Sequence, residues 1–402
     1  MANSKTSSKT VKPRTKMMER NGEKDDYLTS NVSESDFNEN QGGYGQRGVS
    51  YFSSYENVDV HRLMLSDRAR TECYRKAMLE NRSLFEGKTV IDVGAGTGIL
   101  SLFAAEAGAR KVYAIEASNV SSIAKNIVKQ NNMESVIEVF SCQVEDCILP
   151  TTEKVDILIS EWMGFYLLHE SMLSSVILAR DKFLKKSGSM FPCEARLYTC
   201  PCNLQEFYKK EIQFWDDVYG YDFSVVKQLA LQSKQGSPQI MLVDNSELLS
   251  TPELLKCFDL MSVCLEDVKN FQTKCFVSSS CKNVCRGVVL WFDCGFPSPD
   301  NQEIVLSTAP NSMSTHWKQT VLILPTEIDL DAGDVIGFDI EFSQSAENSR
   351  HYNIKLEVLG DDAEHPVPCN CGSARCSLVQ AFLQQQDEMN EADDFVDITV
   401  VS

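Results

Sequence analysis

"KTVIDVGAGTGILSLFAAEAGARKVYAIEAS", residues 88–118, decides the fold. Residues 89–93 are a short apolar run of strand length with Asp92 near its end. Gly94, Gly96 and Gly98 make a turn, residues 100–107 read as a helix, and residues 111–116 read as a second strand closed by Glu116. Strand, glycine turn, helix and strand form a βαβ unit whose turn faces a ligand. A dinucleotide site uses G-x-G-x-x-G; here the third glycine comes one residue early. The tighter turn lets the backbone pass close beneath a nucleoside with no pyrophosphate to accommodate, which disfavours a nicotinamide dehydrogenase. Asp92 stands where a ligand's ammonium can be met, directly or through water. Glu116, about 20 residues on, occupies the place of an acid that grips both ribose hydroxyls. A structural turn with a chance acid is the bland alternative, and the complete unit argues against it.

Outward from this unit the alternation continues. Helices are expected at 121–131 and 170–184, and strands at 137–140 and 155–160. The pattern predicts an α/β, Rossmann-like domain over 49–192, a mostly parallel sheet with helices on both faces. Upstream, Leu65, Ala69, Cys73 and Ala77 recur at helical spacing, so a helix is expected over 61–84. Past Pro192 the texture changes to strand-like alternation, as in "ARLYTCPC" and "DVIGFDIEF". An antiparallel sheet or barrel is expected over 193–360, interrupted by a helical insertion at about 203–231. Residues 1–48 and 361–402 read as polar tails, the second acidic.

Composition narrows the function. The chain has 402 residues, is 43% hydrophobic and carries a net charge of -19. That balance argues against binding a phosphate backbone and suits basic partners. No apolar run is long enough to span a membrane. Fifteen cysteines without a signal peptide, among them Cys142, Cys264 and Cys294 in apolar segments, point to reduced, buried thiols in the nucleus or cytoplasm. The basic residues within 5–20 read as a solvated tail, with nuclear import as the alternative.

"SEWMGFYLLHESML", residues 160–173, carries the chemistry. Glu161 ends an apolar strand, and the carboxyl ends of strands in an open parallel sheet are where ligands bind. Glu170 is expected to open the next helix. Between them Trp162, Met163, Phe165 and Tyr166 form a patch without a cation. Two carboxylates there need a cationic partner or a shared proton. A planar guanidinium fits both. A metal is disfavoured because His169 is the one histidine nearby, and the nucleoside-type turn disfavours a glycosidase. Glu145, in "CQVED", falls by chain order near the sheet's switch point, beside a base, unless it is a plain surface acid.

From Tyr51 to Gly360 these segments together resemble the protein arginine N-methyltransferases of type I. "YFSSY" (51–55) with "HRLMLSDRARTECY" (61–74) is similar to the family's N-terminal helix, "IDVGAGTG" (91–98) to its cofactor motif, "SEWMG…LLHESML" to its two-glutamate loop, and "STHWKQT" (314–320) to its Thr-His-Trp loop. The resemblance implies S-adenosyl-L-methionine as cofactor, with His61, Arg70, Asp92, Gly94, Gly96, Glu116, Glu145 and Met172 around it. Arg70 would pair with the cofactor's carboxylate. It implies that Glu161 and Glu170 hold the substrate guanidinium, that His316 closes the site, and that Tyr55, Met64 and Trp317 shape it. It further implies monomethyl and asymmetric dimethyl products on histones or Arg/Gly-rich proteins, and a homodimer built through the inserted arm. Phe165 departs from the pattern, since many members carry tyrosine there. A catalytically silent scaffold and a methyltransferase for small molecules or nucleic acid are the rival readings. The intact glutamates and turn count against the first, and the acidic charge against nucleic acid.

Two further motifs lie near the C-terminus. His365, Cys369, Cys371 and Cys376 are metal-ligand types, but their spacing is not that of a zinc finger, so reduced loop thiols and no metal are expected. "EADDFVDITVVS" (391–402) reads as an acidic tail; its alternative is a strand added to a SUMO-type partner.

Overall fold

The computed structural model describes residues 57–299 and 302–394, with side chains as far as 386. The tail 1–48, the "YFSSY" motif with Tyr55, and Ile398, Val400 and Val401 lie outside the described residues.

Helix α1 (Val58–Ser66) is capped by the Asn57 side chain, and α2 (Arg68–Glu80) by Asp67, whose carboxylate accepts the Arg70 N–H. The single helix expected over 61–84 is therefore broken. Asp67 adopts an extended conformation (φ -69°, ψ 93°) and starts a new helix with its own side chain.

The parallel sheet contains β1 (Thr89–Val93), β2 (Lys111–Glu116), β3 (Ile137–Ser141), β4 (Val155–Ile159) and β5 (Leu184–Phe191), in the order β3-β2-β1-β4-β5. Helices α3 (Ile99–Glu106), α4 (Val120–Gln130) and α5 (Leu173–Phe183) connect or follow the strands. Val90, Ile91, Val112, Ile157 and Leu158 are buried in its middle. Chain order reverses between β1 and β4, which opens a crevice at their carboxyl ends. The glycine turn and Glu161 both lie there. Strand β5 escaped the sequence reading because Lys185, Lys186 and Ser187 break its apolar pattern; an edge strand tolerates such residues.

The second half is antiparallel. One sheet runs β7 (Gln239–Met241), β12 (Gln319–Leu330), β10 (Asn283–Phe296), β6 (Glu194–Cys202), β8 (Glu253–Asp259), with β11 (Ile304–Ser307) also on β10. The other runs β14 (Tyr352–Leu359), β13 (Val335–Gln344), β9 (Asn270–Ser278). The expected Rossmann-like domain followed by an antiparallel barrel is what the chain forms. The insertion is not one helix but short helical pieces over 205–216 and 224–226, followed by α6 (Lys227–Gln235). Tyr208 and Ile212 root it in the barrel core, while Tyr219, Tyr221 and Val225 are exposed.

Polar bonds join the halves. The Asn81 side chain donates to Pro297 O at 2.6 Å, and Arg180 donates to Leu260 O and Val263 O at 2.9 and 2.8 Å. Beyond the barrel the tail is not wholly irregular: α7 covers Ala374–Asp394. All fifteen cysteines are unpaired; Cys294 is buried as expected, whereas Cys264 is exposed. Among the described residues no helix is long and apolar enough to cross a membrane.

Candidate active site

The floor of the crevice is the glycine turn. Gly94, Gly96 and Gly98 have φ of 76°, 54° and 90°, a region that side-chain-bearing residues rarely enter. A Cβ on Gly94 would stand 2.3 Å from the Met172 methyl carbon, and one on Gly96 3.4 Å from the His61 ring. Met172 and His61 thus face the turn from opposite partners, the two-glutamate loop and α1. The Glu116 carboxylate ties the turn to β2, accepting the Gly96 N–H and the Ser118 N–H, both at 2.8 Å. Asp92 is wholly buried beneath the turn. Its Oδ2 accepts the Ser101 hydroxyl at 2.7 Å and its Oδ1 has no partner among the described residues. Burial pushes its carboxyl up to about 7, partly offset by the Ser101 bond. Glu145 is exposed, and its carboxylate accepts the Ser175 hydroxyl from α5 at 2.6 Å.

The glutamate loop is held by local geometry that the sequence does not advertise. Glu170 does not open a helix; α5 starts at Leu173. Instead Tyr166, Leu167 and Glu170 all have positive φ (40°, 72° and 58°), and Gly164 pairs with Leu167 and Phe165 with His169 as small bridges. A Cβ at Gly164 would lie 1.5 Å from the His169 carbonyl oxygen, so the loop requires glycine there. Such clustered strain persists only where the surroundings enforce it, and it collects at functional sites.

The expectation of a patch without a cation is corrected by the tertiary structure. Arg70, from α2, donates through Nε and Nη2 to Glu161 Oε2 at 2.9 and 2.8 Å, and both side chains are largely buried. Arg70 is thus paired with Glu161. Its Nη1 donates to Met64 O at 3.2 Å, which sets half-buried Met64 one bond from the pair. Glu170 is served from the barrel: its N–H donates to Arg350 O at 2.7 Å, and His351 Nε2 is 3.5 Å from its Oε1. Burial alone would raise the Glu170 carboxyl. His351 and the nearby His169 and Arg350 outweigh burial and hold it below its ordinary value.

His316 enters from the loop before β12. Its Nδ1 and its backbone N–H both meet Asp67 Oδ2, at 2.7 and 2.8 Å. Burial would raise the Asp67 carboxyl, yet the bonds from His316 and Arg70 keep it below the ordinary range. An ionised Asp67 makes Nδ1 the donor. Trp317 is buried, and its indole N–H donates to Met163 O at 3.1 Å; it fixes the loop rather than lining a surface.

The structure therefore pairs Glu161 with Arg70, sets Met172 and His61 against the turn at Gly94 and Gly96, sets Glu170 on Arg350 and His351, and sets His316 on Asp67. Sequence reasoning missed Asp67, Arg350 and His351. Asp67 carried a local signal, an N-capping residue type after Ser66; Arg350 and His351 carried none, being about 180 residues from Glu170 in the chain.

Comparison with known proteins agrees with this geometry. Residues 193–361 match the model of the arginine methyltransferase oligomerization subdomain, and residues 76–172 that of the ribosomal protein L11 methyltransferase. Protein arginine N-methyltransferase 6 of Danio rerio is 42% identical over 326 residues, 78% of this chain and 90% of that one. Probable protein arginine N-methyltransferase 6.1 of Oryza sativa subsp. japonica is 40% identical over 331 residues, 76% of this chain and 84% of that one. Among solved structures, the Trypanosoma brucei PRMT1 enzyme-prozyme heterotetrameric complex with AdoHcy superposes with a TM-score of 0.69 at 37% identity, covering 79% of this chain and 97% of that one. A PRMT6-SAH crystal structure gives 0.66 at 32%, covering 75% and 100%. Relatives 40–42% identical over 76–78% of this chain, with a solved structure covering 79% of it, show that the chain belongs to the protein arginine N-methyltransferase family.

Proposed function

We propose that this chain transfers methyl groups from S-adenosyl-L-methionine to arginines of basic proteins, such as histones or Arg/Gly-rich proteins, giving monomethylarginine and asymmetric dimethylarginine. The observation that carries the reading is the pair Glu161 and Glu170, one anchored by Arg70 and the other by the barrel, on a loop whose Met172 packs against a nucleoside-type turn. The turn fits the cofactor. Its glycines let Met172 and His61 close over the turn, Glu116 is fixed to receive ribose hydroxyls, and the buried Asp92 Oδ1 still has an acceptor site to fill.

When bound, the cofactor supplies an electrophilic sulfonium methyl group. The chain's own residues do the rest. A guanidinium is a weak nucleophile, because it stays protonated and its lone pairs are delocalised. Glu161 and Glu170 draw positive charge onto the far nitrogens and leave the target nitrogen richer in electrons. His316, oriented through Nδ1 by Asp67, takes the released proton at Nε2. Met64, unbranched and pliant, gives room for a methyl group already on the nitrogen. That supports a second transfer to the same nitrogen.

The arm supports a homodimer. Phe214, Tyr219, Tyr221, Val225 and Leu229 are all exposed on it, an apolar patch of the kind that marks an interface. Action in the nucleus or cytoplasm accords with fifteen unpaired cysteines.

The test is incubation with labelled cofactor and a cell extract, followed by mass spectrometry of the modified arginines. Neutral loss of dimethylamine marks the asymmetric product. A mainly symmetric product overturns the type I reading, and label on small molecules or nucleic acid alone overturns the substrate class.

A further inference from the structure

The segment between β14 and α7 folds back on itself. His365 Nδ1 lies 3.4 Å from Cys369 Sγ, 3.4 Å from Cys371 Sγ and 3.3 Å from Cys376 Sγ. All four ligand atoms lie within 4.8 Å of one another. The three cysteines are buried, Cys371 completely. Gly372, at φ 75°, reverses the chain between Cys371 and Cys376, which sits in the first turn of α7.

Hydrogen bonding does not account for this convergence. An imidazole nitrogen has one lone pair or one hydrogen and serves one in-plane partner. Three sulfurs at nearly equal distance surround it instead. A tetrahedral zinc ion, with Zn–S of about 2.3 Å and Zn–N of about 2.0–2.1 Å, sets nitrogen and sulfur about 3.5 Å apart. The observed 3.3–3.4 Å is within about 0.2 Å of that spacing.

The surroundings are those of a structural centre. The His365 ring stacks on Phe276 of β9, with centroids 3.8 Å apart and planes 15° apart. Phe276 in turn lies over Gly337 on the neighbouring strand β13, where a Cβ would come within 2.5 Å of its ring. Val335, Leu359 and Ala363 pack around the cysteines. Ser373 Oγ is 3.3 Å from Cys371 Sγ and accepts the Cys376 N–H at 3.3 Å, an outer contact that orients a ligand. Three thiolates and one imidazole are soft and borderline donors that select zinc over magnesium or calcium.

We propose that His365, Cys369, Cys371 and Cys376 bind one structural Zn²⁺ ion that clamps the start of α7 to the outer face of the β9–β13–β14 sheet. The expectation of loop thiols without metal rested on spacing alone, and spacing does not show that the chain turns back at Gly372. Binding displaces the three thiol protons to solvent. The centre is closed: four protein ligands leave no position for water, so it is not a catalytic metal.

The experiment uses the full chain, expressed with zinc in the medium and purified without chelator. Elemental analysis should find about one zinc per chain. X-ray absorption at the zinc edge should show three sulfurs at about 2.3 Å and one nitrogen at about 2.0 Å. Cys371→Ser and His365→Ala should each lose most of the metal, while Cys257→Ser, at an exposed cysteine on β8, should keep it. Should the site variants misfold, the absorption spectrum of the wild-type protein decides by itself. Protein without stoichiometric zinc, a ligand set other than three sulfurs and one nitrogen, or full retention of zinc in both site variants overturns the proposal.

Discussion

Replacing Asp67 with asparagine separates two duties that one carboxylate performs. Its Oδ1 accepts the Arg70 N–H at 3.0 Å and caps α2, and its Oδ2 accepts both the His316 backbone N–H and Nδ1, at 2.8 and 2.7 Å. An asparagine has one acceptor oxygen and one NH₂ group. With the oxygen toward His316, the NH₂ faces the Arg70 N–H and the cap is lost, about 1 kcal/mol. The two His316 bonds survive but lose charge assistance, about 1 kcal/mol each. D67N should therefore lose about 2–4 kcal/mol in urea unfolding at neutral pH. The sign of the pH dependence follows from the depressed Asp67 carboxyl. Its stabilisation is complete above the unfolded value near 3.9 and drains away as pH falls through the lower folded value. Wild type and D67N should converge in acid. Turnover should fall about 100-fold, because a neutral amide no longer stabilises the imidazolium that forms when His316 takes the proton. Equal unfolding midpoints at neutral pH, or a difference that does not narrow below about pH 4, would refute the reasoning.

Glu170→Gln should cut turnover at least about 100-fold with little change in unfolding midpoint. Glu161→Gln should lose as much activity and also about 2–3 kcal/mol of stability, because it leaves Arg70, 7% exposed, without its charged partner; near-normal turnover in either variant removes the assignment. Gly164→Ala, with a Cβ 1.5 Å from a carbonyl oxygen, should abolish transfer, and a crystal structure should show the loop displaced. Met64→Phe should lower dimethylation or release some symmetric product; mass spectra unchanged from wild type would make Met64 a bystander.

What the sequence disclosed and what it withheld divide along physical lines. β1, the glycine turn and β2 were legible because each depends on neighbours in the chain: apolar runs, Gly94, Gly96 and Gly98 at positive φ, an acid at the strand end. The change to antiparallel strands after Pro192 was legible as alternation. The partners of the glutamates were not, because Arg70 reaches Glu161 across 91 positions and His351 reaches Glu170 from the barrel. The positive φ of Glu170 was hidden as well, since nothing in "LLHESML" distinguishes a strained turn from the first turn of a helix. The convergence at His365 was spelled out in residue types and concealed by their irregular spacing.

The bonds from the barrel to the glutamate loop set when in the life of the chain the enzyme can first act. The ribosome releases the glycine turn and both glutamates long before Trp317, Arg350 and His351. Until those arrive, the Met163 carbonyl and the Glu170 N–H lack the Trp317 and Arg350 groups that hold a loop with three unfavourable backbone conformations. Such a loop relaxes when its partners are missing. A nascent or truncated chain ending near Pro192 therefore carries the whole glycine turn and a glutamate loop without its supports from the barrel. Activity is a property of the finished polypeptide.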